Sequence, residues 1–188
     1  MTETTDKKQV LFIQGGGDNG YEADEKLAES LRAKLGTAYN VHYPQMIGDE
    51  KLPDFGWGQQ IDKALAAIHD KVILVGHSVG ASILLKHFSE NPTNHQISGI
   101  FLIAAPFWGG DEQWQYESLT LREDFAAALP KAVPIFLYQA QDDEEVSINH
   151  LSLYAKKLPQ AEVRELPSGG HQLGNDLTPV AHDIKNLH

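Results

Sequence analysis

The sequence contains no cysteine among its 188 residues. This absence excludes disulfide bonds, thiolate metal sites and a cysteine nucleophile, and it is compatible with a reducing compartment. Basic residues are also few, because 15 Lys and Arg stand against 26 Asp and Glu, which gives a net charge of −11. A protein that binds the phosphate backbone needs a basic surface, so this charge argues against a nucleic-acid partner.

Long hydrophobic segments are missing as well. No apolar run approaches the length that crosses a bilayer, and the polar start MTETTDKKQ lacks the apolar core of a signal peptide. Together these absences predict a cytoplasmic protein with no membrane partner. The length and the 41% hydrophobic content suit one domain over residues 1–188, with residues 1–8 expected to be flexible. Nothing in the sequence indicates the oligomeric state.

Short apolar segments alternate along the chain with segments of helical periodicity. The candidate strands are Val10–Gln14, Tyr39–Tyr43, Val72–Gly76, Gly99–Ala104, Pro134–Gln139 and Ala161–Leu166. Most are too apolar to have a solvent-exposed face, which is typical of strands that helices cover on both sides. Gly36 is predicted to end the first helix, and Thr178-Pro179 to open the last as cap and first helical residue. The alternation predicts an α/β fold, a three-layer α/β/α sandwich around a six-stranded, mainly parallel sheet.

The segment Gly-His-Ser-Val-Gly at residues 76–80 follows a buried strand and precedes an apolar helix. It matches the G-x-S-x-G pattern of a nucleophile elbow, in which small flanking residues permit a tight strand-to-helix turn. The pattern predicts that Ser78 is a nucleophile at the helix N-terminus, where the helix dipole favours developing negative charge. The alternative is a structural turn of small residues, as the first loop of a nucleotide-binding fold would have.

A serine nucleophile needs a histidine base that a carboxylate orients, and in this type of fold both follow the serine in the chain. His171 follows the last predicted strand, in a Gly-Gly-His loop at the same edge of the sheet as Ser78. It is the predicted base, and a surface histidine without a role is the alternative. His77 comes too early in the chain order, and His150 lies on a predicted helix.

Four consecutive acids, Asp142 to Glu145, follow the fifth predicted strand. Asp142 and Asp143 are nearest the strand end, and either could orient the histidine. The other acids are expected to form a solvated turn at a helix start, where negative charge is favourable. A calcium site built from this run is an alternative, but its spacing matches no known loop pattern. We therefore predict neither a metal nor a cofactor.

Acyl transfer also needs two N–H donors that stabilise an oxyanion. One is predicted to be the backbone N–H of Val79, and the other that of Gly15 or Gly16 in the loop after the first strand. The same loop satisfies a loose G-x-G-x-x-G with Gly15, Gly17 and Gly20. That alternative predicts dinucleotide binding, but no acidic residue ends the second strand to bind a ribose.

Aromatic residues follow the second and fourth predicted strands, at the edge where Ser78 is expected. Trp57, Phe107 and Trp108 are predicted to line a pocket for a small-molecule acyl substrate. The alternative is that these rings only cover the end of the sheet. The loop at residues 106–119 is too short to form a large lid domain.

With these elements the chain resembles the α/β-hydrolases, and more narrowly the small serine hydrolases of the retinoblastoma-binding-protein-nine (YdeN-like) family. The resemblance runs from Val10 to the last helix. Its carriers are the glycine loop after the first strand, the elbow, the strand Ile100–Ala105, the acidic run ending at Val146 and the segment Gly169-Gly170-His171.

The resemblance implies a Ser-Asp-His site that hydrolyses a carboxylic ester, a thioester or an amide, in a compact fold without a large lid. In related hydrolases the acid tends to precede a valine or leucine by three residues, so Val146 favours Asp143 over Asp142. Gln14 departs from the pattern, because hydrolases commonly have histidine there. The rival hypothesis is a non-catalytic module that binds other proteins on the same scaffold.

Overall fold

The computed structural model describes residues 7–188, and a sheet of six strands lies at the centre of this part of the chain. The strands are β1 Lys8–Ile13, β2 Tyr39–His42, β3 Val72–His77, β4 Ile97–Ile103, β5 Ile135–Ala140 and β6 Glu162–Leu166. Their order across the sheet is β2-β1-β3-β4-β5-β6, and every neighbouring pair is parallel. The predicted six-stranded parallel sheet is confirmed.

Helices cover both faces of the sheet. They are α1 Gly20–Leu35, α2 Trp57–Ala66, α3 Val79–Glu90, α4 Phe125–Ala128, α5 Asn149–Lys157 and α6 Thr178–Lys185. Alternate residues of β1 contribute to different hydrophobic clusters, because side chains on a strand point to opposite faces. Leu11 and Ile13 belong to the cluster that contains residues of α2, α3 and α5, whereas Val10 and Phe12 belong to the cluster of α1 and α6. This arrangement is the predicted three-layer sandwich.

The ends of the elements differ from the sequence prediction by a few residues. Lys8 already belongs to β1, although β1 was expected to begin at Val10, because backbone pairing with β2 does not require an apolar side chain. Gly36 ends α1 with a φ of 78°, as predicted, and α6 begins at Thr178 itself. Residues 1–8 were expected to be flexible, and residues 1–6 of this segment lie outside the described residues. No helix within residues 7–188 combines the length and hydrophobicity that crossing a bilayer requires.

The order of the strands places a crevice between β1 and β3. The chain adds β2 beside β1 on one side of this pair and β4, β5 and β6 beyond β3 on the other. Loops that follow two such central strands diverge, and the crevice outside their carboxyl ends is where open α/β sheets bind ligands. The glycine loop follows β1 and Ser78 follows β3, so both lie at this crevice.

Candidate active site

The turn between β3 and α3 holds Ser78 in a strained backbone conformation, with φ 51° and ψ −125°. Positive φ is uncommon for a residue other than glycine and often accompanies function. This turn requires glycine at both flanking positions of the motif, because neither position has room for a side chain. A Cβ on Gly76 would lie 2.7 Å from Ala81 Cα, and a Cβ on Gly80 would overlap the carbonyl oxygen of Gln14. The turn therefore has the geometry that a nucleophile elbow requires.

His171, after β6, lies beside Asp143, which follows β5. Both carboxylate oxygens of Asp143 are 3.1 Å from His171 Nδ1, so this nitrogen donates its hydrogen to the carboxylate. The Asp143 side chain is fully buried, and its Oδ1 accepts the backbone N–H of Glu145 and of Val146 at 2.9 Å each. Within residues 7–188 His171 Nε2 makes no hydrogen bond, which leaves that nitrogen for another molecule.

The environment of Asp143 keeps its carboxyl group ionised. Burial acts to raise the pKa of Asp143, because it removes water from the carboxylate. Hydrogen bonds from His171 and from the backbone N–H of Val146 oppose this effect and prevail, so the pKa lies below the ordinary value for aspartate. The resulting anion can orient the imidazole of His171 and stabilise its protonated form.

The neighbouring acids contact the loop that carries His171, although the sequence predicted only a solvated turn. Asp142 Oδ1 accepts the backbone N–H of Gly170 at 2.9 Å, and Glu144 Oε2 accepts that of His171 at 3.1 Å. The acidic run after β5 thus fixes the loop after β6 through backbone amides. Within residues 7–188 no group of three or more His, Asp or Glu side chains is arranged to hold a metal ion.

Ser78 and His171 line one pocket of about 460 Å³ at the crevice. Other residues that line it are Gly16, Gly17, Val79, Trp114, Glu144, Glu145 and Gln172. Within the described chain no hydrogen bond joins the Ser78 hydroxyl to His171. Contacts of this kind are often long until a substrate binds.

Among the predicted oxyanion donors, the backbone N–H groups of Gly16 and Val79 make no hydrogen bond within residues 7–188. Gly16 packs directly on Val79, since a Cβ on Gly16 would lie 2.9 Å from Val79 Cγ2. The N–H of Gly15 is different, because it donates to Asp24 Oδ2 at 2.7 Å. Of the two glycines predicted as oxyanion donors, only Gly16 has an amide without a protein acceptor.

The amino-acid sequence belongs to a known protein family. The sequence matches the family model described as serine hydrolase over residues 22–176. The chain belongs to the serine hydrolase family. Sequence comparison with curated proteins finds no match.

Solved structures similar to this serine hydrolase share the α/β-hydrolase fold. A YdeN-like hydrolase from Pectobacterium atrosepticum has 16% identity and a TM-score of 0.67, over 96% of this chain and 89% of the other. An esterase from Rhodococcus sp. ECU1013 has 14% identity and a TM-score of 0.71, over 98% and 92%. A thioesterase domain from the curacin biosynthetic pathway has 18% identity and a TM-score of 0.71, over 97% and 92%. The resemblance to the α/β-hydrolases is therefore confirmed.

A second pocket of the serine hydrolase, also about 460 Å³, lies on the other side of the glycine loop. Trp57 and Trp108 line it, together with Tyr21, Met46, Ile47, Phe55 and Val79. Phe107 lines neither pocket. Its ring packs edge-on against Tyr154 at a centroid distance of 5.0 Å, and its side chain packs against the hydrophobic core on one face of the sheet. Gly16, Gly17 and Val79 line both pockets, so the two pockets meet beside Ser78.

Gln14 stands at the position where the sequence resemblance leads us to expect a histidine. Its Oε1 accepts the backbone N–H of Met46 at 2.8 Å, and its Nε2 donates to the carbonyl oxygen of Gly15 at 3.4 Å. Gln14 therefore ties the glycine loop to the segment after β2, which forms one wall of the second pocket.

Three buried side-chain polar atoms lack a hydrogen-bond partner within residues 7–188. They are Trp57 Nε1, Trp114 Nε1 and Gln172 Oε1. Unpaired buried polar atoms are rare in proteins because each one costs stability. All three residues line one of the two pockets.

A buried pair at the same site was not predicted from the sequence. His77 Nδ1 lies 2.8 Å from Asp24 Oδ2, and both side chains are only 1% exposed. The signal that could have found the acid is its position, because Asp24 lies on the same helical stripe as Leu27, Leu31 and Leu35. An acid on the buried face of a helix needs a partner.

Proposed function

We propose that the protein hydrolyses a carboxylic ester, a thioester or an amide through an acyl-enzyme on Ser78. The observation that carries this proposal is the shared pocket of Ser78 and His171. Asp143 binds His171 Nδ1, and Nε2 has no hydrogen-bond partner among residues 7–188. Membership of the serine hydrolase family supports the reaction class. All the proposed groups come from one sheet edge, and we propose that one domain suffices for the activity.

The proposed reaction follows from the roles of these three side chains. Ser78 Oγ attacks the acyl carbon while His171 Nε2 takes its proton, and Asp143 stabilises the imidazolium that forms. The backbone N–H groups of Gly16 and Val79 stabilise the negative charge on the substrate oxygen. His171 then protonates the leaving group, and a water molecule that His171 deprotonates cleaves the acyl-enzyme.

We propose that the second pocket binds the acyl part of the substrate. Its wall contains Trp57 and Trp108, and Trp108 is fixed by a 2.9 Å hydrogen bond from its Nε1 to Ser82 Oγ. An apolar or aromatic acyl group fits such a wall, and an oxygen atom on it could accept the N–H of Trp57. Glu144 and Glu145 line the other pocket, so they disfavour a negatively charged leaving group.

Carboxylic esters are the substrate class that we favour. Esterases occur among the similar structures, and so does a thioesterase domain, which keeps thioesters as a second substrate type within the same mechanism. Ester, thioester and amide hydrolysis use the same groups, and the shape of the pocket decides among them.

The test is labelling with a fluorophosphonate probe, which reacts with an activated serine. We expect labelling of the wild-type protein and none of Ser78→Ala. The matched control is Ser89→Ala, in the last turn of α3, where the Ser89 hydroxyl donates only to the carbonyl of Lys86. A folded wild-type protein that resists the probe and does not turn over p-nitrophenyl esters would support the non-catalytic alternative.

A further inference from the structure

A buried imidazole–carboxylate pair lies directly beneath the proposed active site, and the proposed reaction does not use it. Asp24 comes from α1, and His77 is the last residue of β3, immediately before Ser78. Neither side chain lines the pocket that Ser78 and His171 share, and each is 1% exposed. These groups therefore cannot exchange protons with a substrate there.

The pair is bonded to the loops on both sides of Ser78. Asp24 Oδ2 accepts the N–H of Gly15 at 2.7 Å, in the loop that supplies a proposed oxyanion donor. His77 Nε2 donates to the carbonyl oxygen of His171 at 2.9 Å, and the two imidazole rings lie 4.7 Å apart. Asp24 Oδ1 accepts from Gln172 Nε2 at 3.1 Å, one residue beyond the proposed base.

The charges of the pair are consistent with this set of bonds. Both nitrogens of His77 face oxygen atoms, so the bonds are complete when each nitrogen carries hydrogen. Burial acts to raise the pKa of Asp24, but the hydrogen bonds and charge of His77 and the N–H of Gly15 prevail and lower it. Both carboxylate oxygens of Asp24 and both ring nitrogens of His77 have hydrogen-bond partners, as buried polar groups require.

We infer that Asp24 and His77 are positioning residues, which hold the glycine loop and the His171 loop at a fixed distance across Ser78. The activity part of this inference rests on the proposed function. One rigid pair that contacts both loops sets the proposed oxyanion donor and the proposed base relative to each other. A displacement of about 1 Å in such groups can cost on the order of 10²-fold in rate.

Two substitutions of His77 separate its two bonds. The side-chain amide of glutamine reaches about as far as Nε2 of histidine, so His77→Gln can keep the bond to the His171 carbonyl. The shorter asparagine reaches about as far as Nδ1, so His77→Asn can keep only the bond to Asp24. The matched control is His87→Asn, which removes a histidine of α3 that lies 2.8 Å from Asp62 and lines neither pocket.

The experiment measures fluorophosphonate labelling rates, kcat and KM with a p-nitrophenyl ester, and crystal structures of the variants. We expect His77→Asn to lower the labelling rate and kcat about 100-fold with KM changed by less than about threefold. His77→Gln should retain the labelling rate within about tenfold, and His87→Asn should behave like the wild type. The crystal structure of His77→Asn should show the His171 backbone displaced from Ser78.

A labelling rate in folded His77→Asn equal to that of the wild type overturns the inference, and so does an unmoved His171 in its crystal structure. If His77→Asn does not fold, Gln172→Met tests the other hydrogen bond of Asp24 to the His171 loop, with an expected loss of about tenfold. A wild-type protein that the probe does not label refutes the proposed function instead. In that case the position of His171 in the variant crystal structure alone decides the inference.

Discussion

Two imidazole–carboxylate pairs lie side by side at the carboxyl edge of the sheet, and they differ in the second nitrogen of the imidazole. His171 Nδ1 is 3.1 Å from Asp143 and its Nε2 makes no hydrogen bond within residues 7–188, whereas His77 Nδ1 is 2.8 Å from Asp24 and its Nε2 donates to a backbone carbonyl. A carboxylate partner therefore does not by itself identify a base. The unbonded Nε2 in a pocket shared with Ser78 is the feature that favours His171 as the proposed base.

A further pair supports this distinction. His150 Nδ1 accepts the backbone N–H of Phe107 at 2.8 Å, so its hydrogen is on Nε2, which donates to Asp111 Oδ2 at 2.7 Å. Both nitrogens of this buried histidine are engaged, and the pair fixes the loop after β4. Such bonds stabilise the fold and leave no group for a reaction.

The largest expected effect separates the two histidines. Replacing the proposed base in His171→Gln should lower kcat for a p-nitrophenyl ester by roughly 10⁶-fold, as the loss of a triad base does elsewhere. His77→Gln should lose less than about tenfold, because its amide can still bond the His171 carbonyl. Equal losses in the two variants, measured on folded protein, would show that the free nitrogen is not what distinguishes the pairs.

The next largest expected effect on kcat distinguishes Asp143, the proposed partner of His171, from its neighbour Asp142. Asp143→Asn should lower kcat by about 10⁴-fold, because the amide favours the wrong imidazole tautomer. Asp142→Asn removes only an acceptor for the backbone N–H of Gly170, and we expect less than about a tenfold loss. Steady-state kinetics with one ester decides between them. A larger loss in Asp142→Asn would reverse the assignment of the acid.

The loss of stability on mutation should be larger for the Asp24–His77 pair than for the Asp143–His171 pair, which is the reverse of the order expected for activity. Asp24→Asn leaves His77 without its buried carboxylate and should lower the free energy of unfolding by about 3 kcal/mol. Asp143→Asn should cost only about 1 kcal/mol, because an asparagine oxygen can still accept the N–H groups of Glu145 and Val146. Urea unfolding of both variants measures this difference. Similar losses in the free energy of unfolding would mean that the Asp24–His77 pair stabilises the fold no more than the Asp143–His171 pair does.

Low pH should reduce the stability that the Asp24–His77 pair contributes to the fold. Folding lowers the pKa of Asp24, so the stability it contributes is complete above its ordinary pKa of about 4 and is lost as the pH falls through the folded value. We expect the difference in Tm between the wild type and Asp24→Asn to narrow below about pH 4. A difference that stays constant down to about pH 3 contradicts an ionised Asp24.

The smallest expected effect is on the pocket wall. Trp57→Phe removes a buried N–H without a protein partner and should raise KM about fivefold for esters whose acyl group carries an oxygen acceptor, which is about 1 kcal/mol. Esters of unsubstituted acyl chains should be unaffected. Phe107→Leu, outside both pockets, is the control. An equal change for both ester types would mean that the indole N–H does not contact the substrate.

The sequence alone predicted the fold and the location of the candidate site for a clear reason. Strands such as β3 are buried along their whole length, and they therefore consist mostly of apolar residues that can be recognised in the sequence. The elbow has a local signature because Gly76 and Gly80 have no space for a Cβ, so its residues are constrained by their immediate neighbours. Features of this kind depend on residues close in sequence.

Features that depend on distant residues were not predictable. The bond from Asp24 to His77 joins residues 53 positions apart, and the bond from Gln172 to Asp24 joins residues 148 apart. Likewise, the engagement of the Gly15 amide by Asp24 was not visible in the glycine run. Phe107 and Trp108 are adjacent in the sequence, yet only Trp108 lines a pocket. Tertiary packing decides which of two adjacent rings faces a crevice.

The most direct test of the account is to locate the adduct after reaction with a fluorophosphonate, by intact mass spectrometry and peptide mapping. We predict one adduct, on Ser78, which forms in the wild type and in His77→Gln but does not form in His171→Gln. A folded wild-type protein without an adduct, or an adduct on Ser78 that forms equally fast in His171→Gln, would contradict it.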